Sequence, residues 1–202
     1  LVSLILLVNY TPVQNFIAQK GADYLSKKLK TKVTIQHIRI DFLNHLEIKG
    51  LLIEDLSHDT LLYAGEAQVR TSDWFIFRDK PVFHYLALHN SYGHLYRTAS
   101  SKEWNYSFIE DAFGTNEKSK SSGKGKPIEF DLEKIELDNM RFHFDDKWIG
   151  EDIDLDLGSF LMNANDVNFD KKIIDLSEIT INKAVVSVNE YKGGRPKHMR
   201  PK

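Results

Sequence analysis

Cysteine is absent from all 202 residues of the chain. That excludes a disulfide framework, a thiolate metal site and a cysteine nucleophile, and it leaves the compartment open, because exported proteins also lack cysteine. An excess of one charge is missing too: 27 basic side chains stand against 29 acidic ones, a net charge of -2. Nucleic acid would need a local basic patch to bind without a global positive field, and no nucleic-acid partner is expected. Enzyme signatures are lacking, with no His-Glu-x-x-His, no glycine-rich phosphate loop and no Gly-x-Ser-x-Gly, so neither catalysis nor a cofactor is expected. What is present is apolar. Hydrophobic residues make up 42% and aromatics 11%, enough to bury a core in one or two domains and to exclude wholesale disorder.

No hydrophobic run is long enough to cross a bilayer. Leu1, Val2, Leu4, Ile5, Leu6, Leu7 and Val8 rise about 12 Å as a helix, against the ~30 Å of a hydrocarbon core. They read either as the end of a longer transmembrane or signal helix or as a short buried segment. Their place at the start, without an initiator methionine and directly before a polar helix, favours a membrane anchor over residues 1–10. At the other end the basic, proline-containing stretch 192–202 reads as a tail and a truncation point.

Thr11-Pro12 is a good helix entry, and Val13, Phe16, Ile17, Tyr24, Leu25 and Leu29 recur at helical spacing, with Lys27, Lys28 and Lys30 at the end. This predicts an amphipathic helix over 11–30. After it the period falls to two. Strands are expected within 33–53 and at 67–70, 82–88, 94–97, 104–108, 129–144, 152–157 and 173–188, separated by turn residues. The stretch GTNEKSKSSGKGKP, residues 114–127, is of low complexity and reads as a flexible linker or loop between a segment at 31–113 and one at 128–191.

The most informative pattern is internal. Leu132, Ile135, Leu137, Met140, Phe142 and Phe144 align with Leu176, Ile179, Ile181, Ala184, Val186 and Val188, every pair offset by 44 positions. The core of this frame recurs at Leu46, Ile48, Leu51 and Ile53, and a degenerate copy runs from Leu86 and Leu88 to Leu95. In each copy a two-residue step (Lys49-Gly50, His89-Asn90, Asp138-Asn139, Asn182-Lys183) shifts the alternation by one, as a bulge or tight turn would. The step returns the later apolar side chains to the same face. Such repetition points to an extended array of strands. That apolar face, with groups as large as Phe130, Phe142, Phe144 and Ile181, must be covered by a second sheet or left to line a groove.

Other constellations are weaker. His89, His94, Asp145 and Asp146 can be written as a metal cluster, but nothing in their spacing requires one, and no metal site is assigned. Asp152, Asp154 and Asp156 fall on one strand face, while Asn163, Asn165, Asp166, Asn168 and Asp170 suggest a turn that lacks the glycine and closing glutamate of a calcium loop. Trp74, Phe75 and Phe77 beside Arg78 form an aromatic-basic patch suited to a membrane interface or to capping the sheet end.

The order of these parts resembles the N-terminal region of the AsmA/TamB family of Gram-negative envelopes. An apolar anchor runs into a helix, then Thr31-Lys32-Val33-Thr34-Ile35, then Leu46-Glu47-Ile48 and Leu51-Leu52-Ile53-Glu54-Asp55 with its acidic turn. The units Ile135-Glu136-Leu137-Asp138-Asn139 and Ile179-Thr180-Ile181-Asn182 resemble the family's recurring strand, aspartate or asparagine turn, strand. The resemblance implies a mainly β protein, with a membrane-proximal helix followed by a curved, elongated, taco-like sheet on a single-pass inner-membrane anchor, and a periplasmic body. It implies that an apolar groove carries phospholipid toward the outer membrane or supports outer-membrane protein assembly. An Omp85-type partner would be engaged by parts of such a protein beyond these residues. Ile38, Ile40, Leu46, Ile48, Ile135, Leu137, Phe142, Phe144, Ile179, Ile181, Val186 and Val188 would line the groove. The alternative is a structural or adhesion-type β-sandwich on a membrane stalk.

Overall fold

The computed structural model describes residues 11–41, 44–71, 82–113, 129–168 and 173–196. The expected anchor at 1–10, the expected linker at 114–127, the patch at Trp74 to Arg78 and Asp170 lie outside the described residues. Helix α1 spans Thr11–Leu29, followed by β1 Val33–Thr34, β2 His37–Asp41, β3 His45–Glu54, β4 Thr60–Thr71 and β5 Val82–Arg97. Then come the short helix α2, Ser107–Phe113, and three 18-residue strands: β6 Glu129–Asp146, β7 Glu151–Asn168 and β8 Ile173–Glu190.

All strands belong to one open, curved sheet in the order β1-β3-β4-β5-β6-β7-β8, with β2 also on β3. β1 and β2 pair with successive parts of β3 in a single antiparallel register, so they form one interrupted edge strand. Every other neighbour is antiparallel except β5 and β6, which run parallel. The sheet is therefore two three-stranded meanders, β3–β4–β5 and β6–β7–β8, laid side by side. A parallel junction requires a crossover connection, and α2 lies on it.

Three sequence expectations are corrected here. Residues 104–106 precede α2 and form no strand, and Ser107 and Phe108 are helical. The strands expected at 82–88 and 94–97 are one strand, and β7 continues to Asn168, so Asn163, Asn165 and Asn168 stand in a strand and not in a turn. In β5 the alternation breaks at Asn90 while the pairing does not, which imitates a turn.

The steps in the repeated frame form a single row across the sheet. Gly50 in β3, Asn90 in β5, Asn139 in β6 and Lys183 in β8 all have left-handed backbone, with φ of 62°, 52°, 49° and 52°. Between them, at the same row, β4 carries Gly65 and β7 carries Gly158. The pairs on both sides of each keep one register: Lys49↔Glu66 and Leu51↔Ala64, Asp138↔Ser159 and Met140↔Leu157. The step is thus no bulge, because at this row no strand holds an extra residue relative to its neighbours. Each strand changes phase at the same row, and the apolar face continues through it. Bare glycine answers the close approach of the left-handed residue next door. A Cβ on Gly158 would lie 2.9 Å from the Lys183 Cβ, and one on Gly65 would lie 3.1 Å from the Asn90 Cβ.

Helix α1 packs on the apolar face at the β1–β2 end. Its buried residues are Gln14, Ala18, Ala22 and Leu29, and Ala18 meets Ile38 and Ile40 with Ile17, Ile35, Leu46 and Ile48 around them. Small alanines let the helix axis approach the strands. The larger Phe16 and Tyr24, expected on the buried stripe, are instead exposed, with Lys20 and Lys28 over their rings. Lys30, at φ 57°, ends the helix in the left-handed conformation that commonly caps one, and Ser26 Oγ accepts the Val33 N–H at 2.9 Å to fix the entry into β1.

Candidate functional site on the apolar sheet face

The strand register brings the twelve predicted groove residues onto one face. On one side of the row, Ile40 pairs with Leu46, and the line runs on through Val69, Leu86 and Ile135 to Met162 and Ile179. Beside it run Ile38, Ile48, Ala67, Leu88, Leu137, Phe160 and Ile181. Across the row, Phe142 pairs with Leu155 and then Val186, and Phe144 with Ile153 and then Val188. None of the twelve lies in β4, β5 or β7, and in β4 and β7 sequence reasoning read no copy of the frame. Their signal is the same frame read backwards around Gly65 and Gly158, as an antiparallel strand must present it.

Cover over this face is uneven. Ile38 and Ile40 are 6% exposed beneath α1 and line no open surface. In the middle, Phe142 lies over Gly93, where an added Cβ would be 3.1 Å from its ring, and the Phe144 ring packs against Trp104 with centroids 4.9 Å apart and planes tilted by 37°. Trp104 belongs to the segment that leads to α2, and Lys28 of α1 lies 3.9 Å over the Phe113 ring of α2. At the far end nothing comparable occurs among the described residues: Ile179, Ile181, Val186 and Val188 are 52–59% exposed. These aliphatic groups stand in contiguous rows on a protein in which 28% of the residues are charged.

The opposite face is polar and cross-linked. Tyr85 donates to Glu136 at 2.5 Å, and burial, reinforced by that carboxylate, pushes its phenol up to about 12. His94 bonds Asp145 at 3.0 Å, His143 bonds Asp154, and Arg141 donates to Asp156 at 2.9 Å. The three aspartates of β7 do share this face, and each has a partner, Asp152 taking the Tyr191 hydroxyl. Of the four residues written as a metal cluster, only His94 and Asp145 meet: His89 faces Asp138, His94 faces Asp145, and Asp146 faces Arg97. No group of three or more ligand-type side chains assembles among the described residues.

Two buried aspartates close the turns that open each meander, and sequence reasoning anticipated only the first as an acidic turn. Asp55, 1% exposed, accepts N–H bonds from Ser57 and Asp59 and is reached by the Asn105 amide. Asp146, 2% exposed, receives both arms of Arg97 at 2.6 and 2.5 Å and the Ile149 N–H at 3.0 Å. Burial alone would raise the Asp146 carboxyl, but Arg97 and the neighbouring N–H groups outweigh it and hold the carboxyl below its ordinary range. The described part of the tail folds back onto this second turn. Tyr191 N–H donates to Gly150, Gly194 N–H to Lys147 and Arg195 N–H to Trp148, a closeness that needs bare glycine at 193 against Ile149, while bare Gly194 fits against Ala99.

Comparison with known families and with curated proteins finds no family model and no curated protein that matches the chain. No described helix is long and apolar enough to cross a membrane.

Proposed function

We propose that the chain is the membrane-proximal segment of an AsmA/TamB-like envelope protein, whose sheet carries phospholipid acyl chains along its apolar face. The supporting observation is the uneven cover. One continuous apolar face is closed by α1 at its first edge and bare over β8, where isoleucine and valine side chains stand more than half exposed. Holding an acyl chain in water costs about 0.8 kcal/mol per CH₂, so an apolar strip lowers the barrier to crossing an aqueous space. Headgroups remain in solvent, and the protein acts by binding without catalysis. In this reading residues 1–8 belong to a single-pass inner-membrane anchor, the body is periplasmic, the curved sheet is one end of a taco-like groove, and an Omp85-type partner is engaged elsewhere. A self-contained adhesion module would close its core with a second sheet, whereas all described strands lie in one.

The test is a photo-crosslinking residue at Val186 or Phe142, with Asp156 on the polar face as control, in the presence of phospholipid vesicles. Lipid adducts at 186 and 142 but not at 156 are expected. Equal labelling at the three positions, or protein adducts alone, overturns the reading.

A further inference from the structure

The two edges of the sheet are built differently. The first edge is short and interrupted: β1 and β2 have two and five residues, and α1 lies against them. Native sheets blunt their edges with shortness, proline, inward lysine or a covering helix. The last edge uses almost none of these devices. β8 runs unbroken through 18 residues, has no proline and one lysine, and is exposed along its whole length apart from Thr180. At about 3.3 Å per residue it offers roughly 60 Å of backbone whose outer side has no described neighbour.

The sheet also shows what such an edge takes. β8 is the third strand of the second meander, and β5 is the third strand of the first. They carry the same frame in the same phase: Leu86 and Ile179, Leu88 and Ile181, Asn90 and Lys183, Gly93 and Val186, Leu95 and Val188. The outer edge of β5 is occupied by β6, running parallel, with Leu86↔Ile135 and Leu95↔Phe144 on the apolar face. At the row two left-handed residues stand side by side, and Asn139 Nδ2 donates to Asn90 Oδ1 at 2.7 Å.

Orientation follows from the frame. A strand with a left-handed residue at the row is apolar at two and four residues before it and at one and three residues after it. Two such strands match only when parallel. Antiparallel, they would set apolar against polar, and the antiparallel neighbours β4 and β7 carry the reversed frame around a glycine instead.

We infer that the outer edge of β8 receives a parallel strand of the β6 frame, the first strand of another three-stranded unit, with an asparagine or glycine beside Lys183. Main-chain hydrogen bonds supply the affinity, and the phase change at the row sets register and direction. The occupant is not a second copy of this chain, because in each copy the two strands of that frame that open a meander, β3 and β6, already have neighbours on both sides. The inference does not depend on what the apolar face carries.

A peptide of residues 129–146 is the probe. Docked in the parallel register, its position 143 lies beside Ser187; docked antiparallel on the same row, it lies beside Ile179. The chain has no cysteine, so a peptide with His143→Cys can be tested for disulfide formation against Ser187→Cys and Ile179→Cys variants. The Ser187→Cys variant is expected to react at least roughly tenfold faster, as strand addition in one register requires. The unmodified peptide is expected to slow amide hydrogen exchange in β8 of the unmodified chain but not in β4, and a peptide lacking Asn139 to lose that effect. Equal rates for the two variants, preference for Ile179→Cys, or no protection of β8 overturns the inference. So does concentration-dependent Ser187→Cys dimerisation that the peptide does not suppress.

Discussion

The two meanders share a frame, a phase change and an apolar face, yet that face is roofed at the first strands and bare at the last one. In β2 and β3 the face is closed by Ala18 and Ile17 of α1, and Ile38 and Ile40 are buried. In β8 the same frame holds Ile179 and Ile181 in solvent. The frame therefore dictates which side of the sheet is apolar, and burial is decided separately, by whether a helix is present to cover that side. An alternating pattern alone is poor evidence for a closed core.

The sharpest way to break this comparison is to delete the same side chain in both regions. Ile40→Ala should cost about 2–5 kcal/mol, the range for a buried isoleucine that leaves a cavity. Ile181→Ala, at 55% exposure, should cost under about 1 kcal/mol. Urea unfolding midpoints of the two variants decide it, and equal losses would mean that the outer strands are covered in solution.

A smaller contrast lies between two ion pairs. Arg97→Ala strands the buried Asp146 carboxylate and should cost about 3 kcal/mol, whereas Asp156→Asn in the exposed pair with Arg141 should leave the midpoint unchanged. Because the folded Asp146 carboxyl is held below its ordinary value, its contribution is present above the unfolded value of about 4 and disappears as pH falls through the folded one. The stability gap between the parent chain and Asp146→Asn should accordingly narrow in acid, measured as thermal midpoints from pH 7 down to pH 2. A gap that stays constant below pH 4 would contradict the depressed value.

The smallest effects concern the row. Gly158→Ala should cost about 1–3 kcal/mol, since its Cβ meets Lys183 and the Asn182 carbonyl at about 3 Å. Lys183→Gly should stabilise by up to about 1 kcal/mol, by relieving a left-handed backbone in a residue with a side chain. Chemical denaturation of both variants would show opposite signs if the two positions act as a pair.

Much of this organisation is legible in the sequence. Lys49-Gly50, His89-Asn90, Asp138-Asn139 and Asn182-Lys183 stand out as steps because apolar spacing changes there, and the second residue of each is the one with positive φ. The twelve groove positions share a face because that spacing is periodic. Other features have no local signal. β4 and β7 present the frame in reverse, around glycines with ordinary neighbours. The buried stripe of α1 is alanine and glutamine, so the aromatic residues that dominate a helical pattern pointed to the wrong face. α2, Asp146 with Arg97, and the return of Gly193 and Gly194 onto the second turn depend on contacts between residues far apart in the chain.

The row has a consequence for how such a chain is inherited. Deleting Asn139 would restore plain alternation to β6 and leave its apolar side chains on one side, so the strand alone would record no damage. One half of it would nevertheless stand a residue out of step with both β5 and β7. Strand length in this sheet is therefore a shared property, and the row positions 50, 65, 90, 139, 158 and 183 should drift together or not at all, with insertions and deletions confined to the connections between strands.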